Sequence, residues 1–219
     1  MMITDIFDKG GAVVWVLAGY SMLALTIIIE RIIRFAVMKR PITTLEQDLV
    51  MAIKKGGAEK VIEKLRGPEA ILLKGLLKAS QDGIRDLVRV ATRLGSMELQ
   101  KMEQGFRTLS ILGNTAPLLG LLGTIIGMIK AFMVIEQAGG RVDAQALAGG
   151  IWEAMLTTGV GLAVAIPILL ALHVLEGMVD RRAQTMRNYA SLLLEQIQHS
   201  NGDEEQETVH HRDGIIHAV

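Results

Sequence analysis

Two threonines and one glutamate are the side chains here whose type and spacing could handle a proton. Thr124 and Thr158 lie inside long apolar runs, and Glu153 stands five residues before Thr158. A threonine hydroxyl both donates and accepts, so it can pass a proton or hold a water facing a carboxylate. It can equally bond back to a carbonyl one turn earlier, a purely structural use. Glu153 could gather protons at a channel mouth. As the first residue of a helix it would also be stabilised by the helix macrodipole, which is reason enough for it to be there. Both readings stay open for all three. The missing chemistry is more telling. Proton and ion pathways through membranes use an ionisable side chain at mid-depth, and residues 108–129 and 154–172 contain none before His173. If this chain conducts protons, another polypeptide must bring the acid.

These residues sit in Thr108–Ile135 and Glu153–Asp180, and both runs exceed the ~20 residues that span a ~30 Å hydrocarbon core. Gly11–Ile29 is a third uncharged run. Its flanks, DIFDKGG before and ERIIRFAVMKRP after, are neither a basic leader nor a small-residue cleavage site, so it reads as a retained span. The expected spans are about 11–30, 108–135 and 153–176. Segment 31–107 carries sixteen Lys and Arg against nine Asp and Glu, whereas the loop between the last two spans has only Arg141 and the N-terminus only Lys9. The positive-inside rule therefore puts loop 31–107 and tail 177–219 in the cytoplasm and the N-terminus outside. There is no cysteine, which removes disulfides and thiol chemistry. The fold class expected is an all-α membrane protein, one domain over 1–219, with long cytoplasmic helical extensions.

Within the loop, Thr43 or Thr44 can cap a helix bearing Leu45, Leu49, Ile53, Val61 and Leu65, broken at Gly56–Gly57. Gly67–Pro68 opens a short helix that Asp82–Gly83 ends. From Ile84 the positions Val88, Ala91, Gly95, Glu98, Met102, Phe106 and Leu109 predict one unbroken helix running into the second span. Val179, Ala183, Met186, Ala190, Leu193 and Ile197 predict a partner extension of the third. The tail after about residue 200 has no periodicity and reads as disordered. Its His210, His211 and His217 have no scaffold for a metal, so no metal site is assigned.

Small residues form a stripe at Gly113, Ala116, Gly120, Thr124, Gly127 and Ala131, and a second at Ala154, Thr158, Gly161 and Ala165. Such stripes let helices approach closely in lipid. They could be seams within one subunit or walls of a passage in an assembly, and periodicity does not separate the two. Thr157 lies about 100° round the helix from Thr158 and reads as a packing residue. Pro117 and Pro167 fall inside spans, as static bends or as hinges. Lys130, His173 and Glu176 lie near span ends, where long side chains snorkel.

The runs APLLGLLGTIIGMIKAF at 116–132 and LAGGIWEAMLTTGVGLAVAIP at 147–167, with ERIIRF closing the first span, resemble the ExbB/TolQ/MotA proton-channel superfamily, nearest to its ExbB branch. Three spans with one large cytoplasmic loop agree with ExbB and TolQ, whereas the flagellar stators have four. The resemblance implies a homopentamer in the bacterial inner membrane whose second and third spans surround a pore. It implies an ExbD- or TolR-like single-span partner carrying the protonatable aspartate, and a TonB- or TolA-like protein receiving the work. It also implies that Thr124 and Thr158 face the pore and that Glu153 is the acidic residue before them. No cofactor, nucleic acid or enzymatic step is expected; the expected transported ion is H⁺, with Na⁺ left open as the alternative. Gly159–Val160 and Asn114–Thr115 depart from the family pattern. Asn114 could extend a water path. A flagellar-stator-like subunit and a passive membrane scaffold are the alternatives. A solute carrier would show broken helices or polar binding residues at mid-depth.

Overall fold

The computed structural model describes residues 11–37, 51–52, 61–63, 65–137 and 144–216; in the last segment, side chains are described at Gln145 and from Leu147 to His199. Every regular element among them is helical. These are α1 (Gly11–Val37), α2 (Pro68–Gln81), α3 (Leu87–Met102), α4 (Phe106–Gln137) and α5 (Ala144–Ile216). Three helices are long and apolar enough to cross a membrane, namely α1, α4 and the Leu147–His199 part of α5. The cap at Thr43 or Thr44, the positions Leu45, Leu49 and Ile53, the Gly56–Gly57 break and Arg141 lie outside the described residues.

The chain divides into two compact units. The first, residues 1–34 and 103–177, holds α1, α4 and the apolar part of α5. In it Val14, Leu17, Ala24 and Arg31 are the buried residues of α1, repeating at three and seven residues as one narrow stripe. Leu17 meets Ala116 of α4 and Ala165 of α5, with Val13, Tyr20, Leu119, Val160 and Val164 around them. Large apolar side chains cover the outward faces: Trp15, Met22, Leu118, Ile125, Phe132, Met155 and Leu170 are all more than half exposed. An apolar surface of that extent suits lipid or another protein chain rather than water.

The second unit comprises residues 35–102 and 178–219. Its core includes Leu65, Leu72, Leu73 and Leu76 with Val179, Met186, Tyr189 and Leu193 of α5. Glu69, in the first turn of α2, is 3% exposed, and Arg182 Nη1 donates to its Oε1 at 3.0 Å and its Oε2 at 3.2 Å. The helix predicted from Gly67–Pro68 to Asp82–Gly83 is present, with Pro68 at its first turn and Gly83 at φ +72°. Where α3 is predicted to pair with the α5 extension, a largely apolar cavity of about 340 Å³ lies between them. Ala91, Gly95 and Leu99 line one side and Ala183, Met186 and Ala190 the other.

Two expectations fail. The helix from Ile84 does not run unbroken into the second span: α3 ends at Met102 and α4 begins at Phe106. Gly105 adopts φ +89°, a conformation open to glycine and costly to other residues. The Phe106 amide turns back to the Glu103 carbonyl at 3.0 Å. Ile84 and Val88, counted on the buried face, stay exposed. The second correction concerns the last helix, which starts at Ala144 rather than near Glu153 and continues to Ile216, past residue 200 where order was expected to end. Glu204, Glu205, Gln206 and Glu207 are good helix formers.

Candidate functional site: the seam between two spans

The α4–α5 contact is built from glycine, alanine and one buried threonine. Gly120 and Gly161 meet backbone to backbone. A Cβ on Gly161 would lie 2.8 Å from the Ala116 carbonyl oxygen, and one on Gly120 would lie 3.0 Å from both the Thr157 carbonyl oxygen and the Thr158 Cα. Neither obstacle is a side chain that could swing away. A Cβ on Gly127 would lie 3.1 Å from that of Ala154, and one on Gly113 would run into Leu169 and Ile168. Ala165 is 2% exposed. The stripes are therefore a seam within one subunit, the plainer of the two readings that periodicity allowed.

The seam's membership differs by one residue on each helix. Gly123, not Thr124, belongs to it, because the Thr157 side chain fills the place of its missing Cβ, with Thr157 Cβ 2.6 Å from that point. Thr157, not Thr158, is the fully buried threonine, at 2% exposure. Its hydroxyl donates to Ala154 O at 2.8 Å and approaches Gly120 O at 3.4 Å. The signal available in the sequence was the glycine itself, directly before Thr124 and able to receive a β-branched side chain from the facing helix.

Thr124 and Thr158 are displaced to the edge of the seam, where both are partly exposed. The Thr158 hydroxyl donates across to the Gly120 carbonyl at 3.2 Å, and the Thr124 hydroxyl donates to Leu121 O at 2.7 Å. Helix geometry pairs that same Gly120 carbonyl with the Thr124 amide, so the two threonines sit at one level. Each has committed its proton to a carbonyl, which leaves oxygen lone pairs as acceptors. Such an oxygen can receive a hydrogen bond from a protonated acid or a water. Asn114, exposed on α4, donates to Ser110 O at 2.8 Å. By helical rotation Ser110, Asn114 and Thr124 share a sector of about 80°. Pro117 and Pro167 lie within helices that continue through them.

Glu153 is not at a helix start, so the macrodipole of its own helix does not explain it. Its counter-charge comes from Lys130 of α4, whose Nζ is 3.3 Å from Glu153 Oε1. Gly11, the first described residue of α1, lies close by: a Cβ there would be 3.2 Å from the same oxygen. Lys130, read as a snorkelling side chain, is thus an ion-pair partner between spans. His173 is exposed, with Nδ1 2.8 Å from Leu169 O. Twenty residues of helical rise separate it from Glu153, about 30 Å.

Three helices long and apolar enough to cross a membrane, two of them closed on each other along a small-residue seam, define an all-helical membrane protein. A family model, the MotA/TolQ/ExbB proton channel family, matches residues 63–188, more than half of the chain. An ExbB-like biopolymer transport protein of Synechocystis is 34% identical over 86% of this chain and 75% of its own length. An ExbB homolog of Methanothermobacter thermautotrophicus is 25% identical over 98% of this chain and 79% of its own length. A shorter match, to biopolymer transport protein ExbB of Neisseria meningitidis, is 40% identical over 35% of this chain and 34% of that protein. The chain belongs to the MotA/TolQ/ExbB proton channel family, and its relatives are ExbB-type.

Proposed function

We propose that this chain is the channel-forming subunit of a proton-driven motor in a bacterial inner membrane. It works as a homopentamer around an ExbD- or TolR-like partner, and it delivers work from the proton-motive force to a TonB- or TolA-like protein for outer-membrane transport or envelope maintenance. The N-terminus is periplasmic and the C-terminus cytoplasmic, as the basic residues of 31–107 favour. One observation carries the reading. Thr124 and Thr158 present hydroxyl oxygens at one level beside a seam whose spans contain no acid at mid-depth. That environment accepts a proton carrier and does not supply one. Glu153, at the end of the span towards the periplasm, lies on the side from which protons enter.

The test is Thr158→Val in cells that also make the single-span partner. Valine keeps the shape and removes the acceptor, so the expected result is wild-type assembly with loss of energy-dependent function. Full activity of this variant would remove Thr158 from the pathway. The passive-scaffold reading draws support from the same seam, which is complete within one subunit. It predicts that the chain and its partner together carry no more protons than empty vesicles.

A further inference from the structure

His173 is the first ionisable side chain of α5 after Glu153, and it stands on the same edge of the seam as the two threonines. Counted from Gly161 at the centre of the seam, Thr158 and Glu176 lie about 60° round α5 and His173 about 120°, all in one direction. The buried residues Ile168, Leu172 and Leu175 keep to the Gly161 side, so Pro167 does not shift that register. Counted from Gly120, Thr124, Ser110 and Asn114 lie about 40°, 80° and 120° round α4. Because the two helices are antiparallel, both sets fall on one edge. Leu119, Val160 and Val164 lie in the opposite direction, where they pack around Leu17 of α1. Thus α1 covers one edge of the seam and the polar groups occupy the other.

The levels agree as well. From the point where a Cβ on Gly113 would meet Leu169, Ser110 lies three residues towards the inner end of α4, about 4.5 Å, and His173 four residues towards the inner end of α5, about 6 Å. Asn114 Nδ2 donates to Ser110 O at 2.8 Å and to Ser110 Oγ at 3.3 Å. Such amide and hydroxyl groups hold water without changing charge, whereas an imidazole takes up a proton and gives it back. The Leu169 carbonyl only accepts, so His173 Nδ1, 2.8 Å away, carries the N–H, and the neutral ring keeps its lone pair on Nε2. The charged groups at this end of the first unit are Glu30, Arg31 and Arg34 on α1, Glu103 and Arg107 around the start of α4, and Glu176 on α5. Arg107 falls about 140° from Gly120, beyond Asn114, and Glu176 is one turn from His173. A proton station must release as well as bind, and one cation and one carboxylate share its edge.

We propose that His173 is a proton-handling residue at the cytoplasmic end of the path, fed by water held at Asn114 and Ser110. Between the threonines and Asn114, about 15 Å of rise, the edge is apolar, with Leu121, Leu162 and Ile166 exposed along it. A proton released by the partner's acid at the threonines crosses that interval only when water enters it, and it meets its first fixed acceptor at His173. It joins Nε2 to give the imidazolium, and the acid is left as its carboxylate. Nε2 then passes the proton to cytoplasmic water or buffer and returns to the neutral ring. The inference rests on the channel reading above, with its orientation, and adds to it the residue through which protons leave.

The experiment uses vesicles with the cytoplasmic face towards the lumen, holding the full chain with its single-span partner, and measures proton uptake driven by a K⁺ diffusion potential. His173→Ala should assemble and lower uptake by about tenfold, less than the ~10²–10⁴ of an enclosed acid–base group because water reaches an open mouth. Imidazole loaded into the lumen should restore most of the rate to His173→Ala and add nothing to wild type. Should His173→Ala not assemble, His173→Asn, which keeps a donor for Leu169 O, is read in the same way. A loss of uptake that imidazole does not restore makes His173 structural and overturns the inference. Wild-type uptake by the variant also overturns it, while leaving the channel reading intact. Absence of partner-dependent uptake by wild type overturns both.

Discussion

Adjacent threonines on α5 do different work because one helical step of about 100° separates them. Thr157 is inside the seam and its methyl and hydroxyl fill the space beside Gly123; Thr158 is at the edge and reaches Gly120 O. Thr157→Val should therefore cost about 1 kcal/mol of stability, the worth of a buried hydrogen bond, with proton-driven function retained. Thr158→Val should show the reverse. Thermal melting in detergent and an energy-dependent uptake assay, run on both variants, separate the two roles. Loss of function in Thr157→Val with none in Thr158→Val would reverse the assignment. The glycines sort in the same way. Gly120→Ala and Gly161→Ala force a methyl against backbone and should each destabilise by about 1–3 kcal/mol. Gly159→Ala meets nothing within 4 Å and should leave melting unchanged or raise it.

Helices are where sequence reading worked best, and its failures have physical causes. The three spans, the helix after Gly67–Pro68 and the buried spacing of Val179, Ala183, Met186, Ala190 and Leu193 follow from apolar length and period. The break after α3 was missed because the apolar period continues through it and a single glycine carries the turn. Gly105→Ala tests that cause: alanine there has an unfavourable φ and a Cβ 3.1 Å from Ile27, so melting should fall. The seam was legible as a stripe but not in its phase. Gly123 and Thr124, like Thr157 and Thr158, are neighbours in sequence, and only the facing helix decides which turns inward. Lys130 with Glu153 was beyond reach, since 23 residues separate two charges that each had an adequate local explanation. The Glu69–Arg182 pair, 113 residues apart, was hidden for the same reason. Arg182→Met should cost about 3 kcal/mol by leaving a buried carboxylate unpaired. Hydrogen exchange of α2 would report it, and unchanged protection would show that the pair does not anchor that helix.

At the scale of the molecule, two spans close on each other and hold no ionisable group at mid-depth. Its spans pack tightly among themselves through glycine and alanine, and they leave broad apolar faces for lipid or for other chains. Between residues 108 and 129, and between 154 and 172, nothing can bind and release a proton on its own. On the proposed function, conduction is therefore a joint property of two polypeptides. The direct measurement is proton uptake into vesicles carrying this chain alone, with its single-span partner, and with that partner lacking its mid-span carboxylate. Uptake should appear only with the intact partner. Uptake by the chain alone, or with the carboxylate-free partner at the intact rate, would contradict the account.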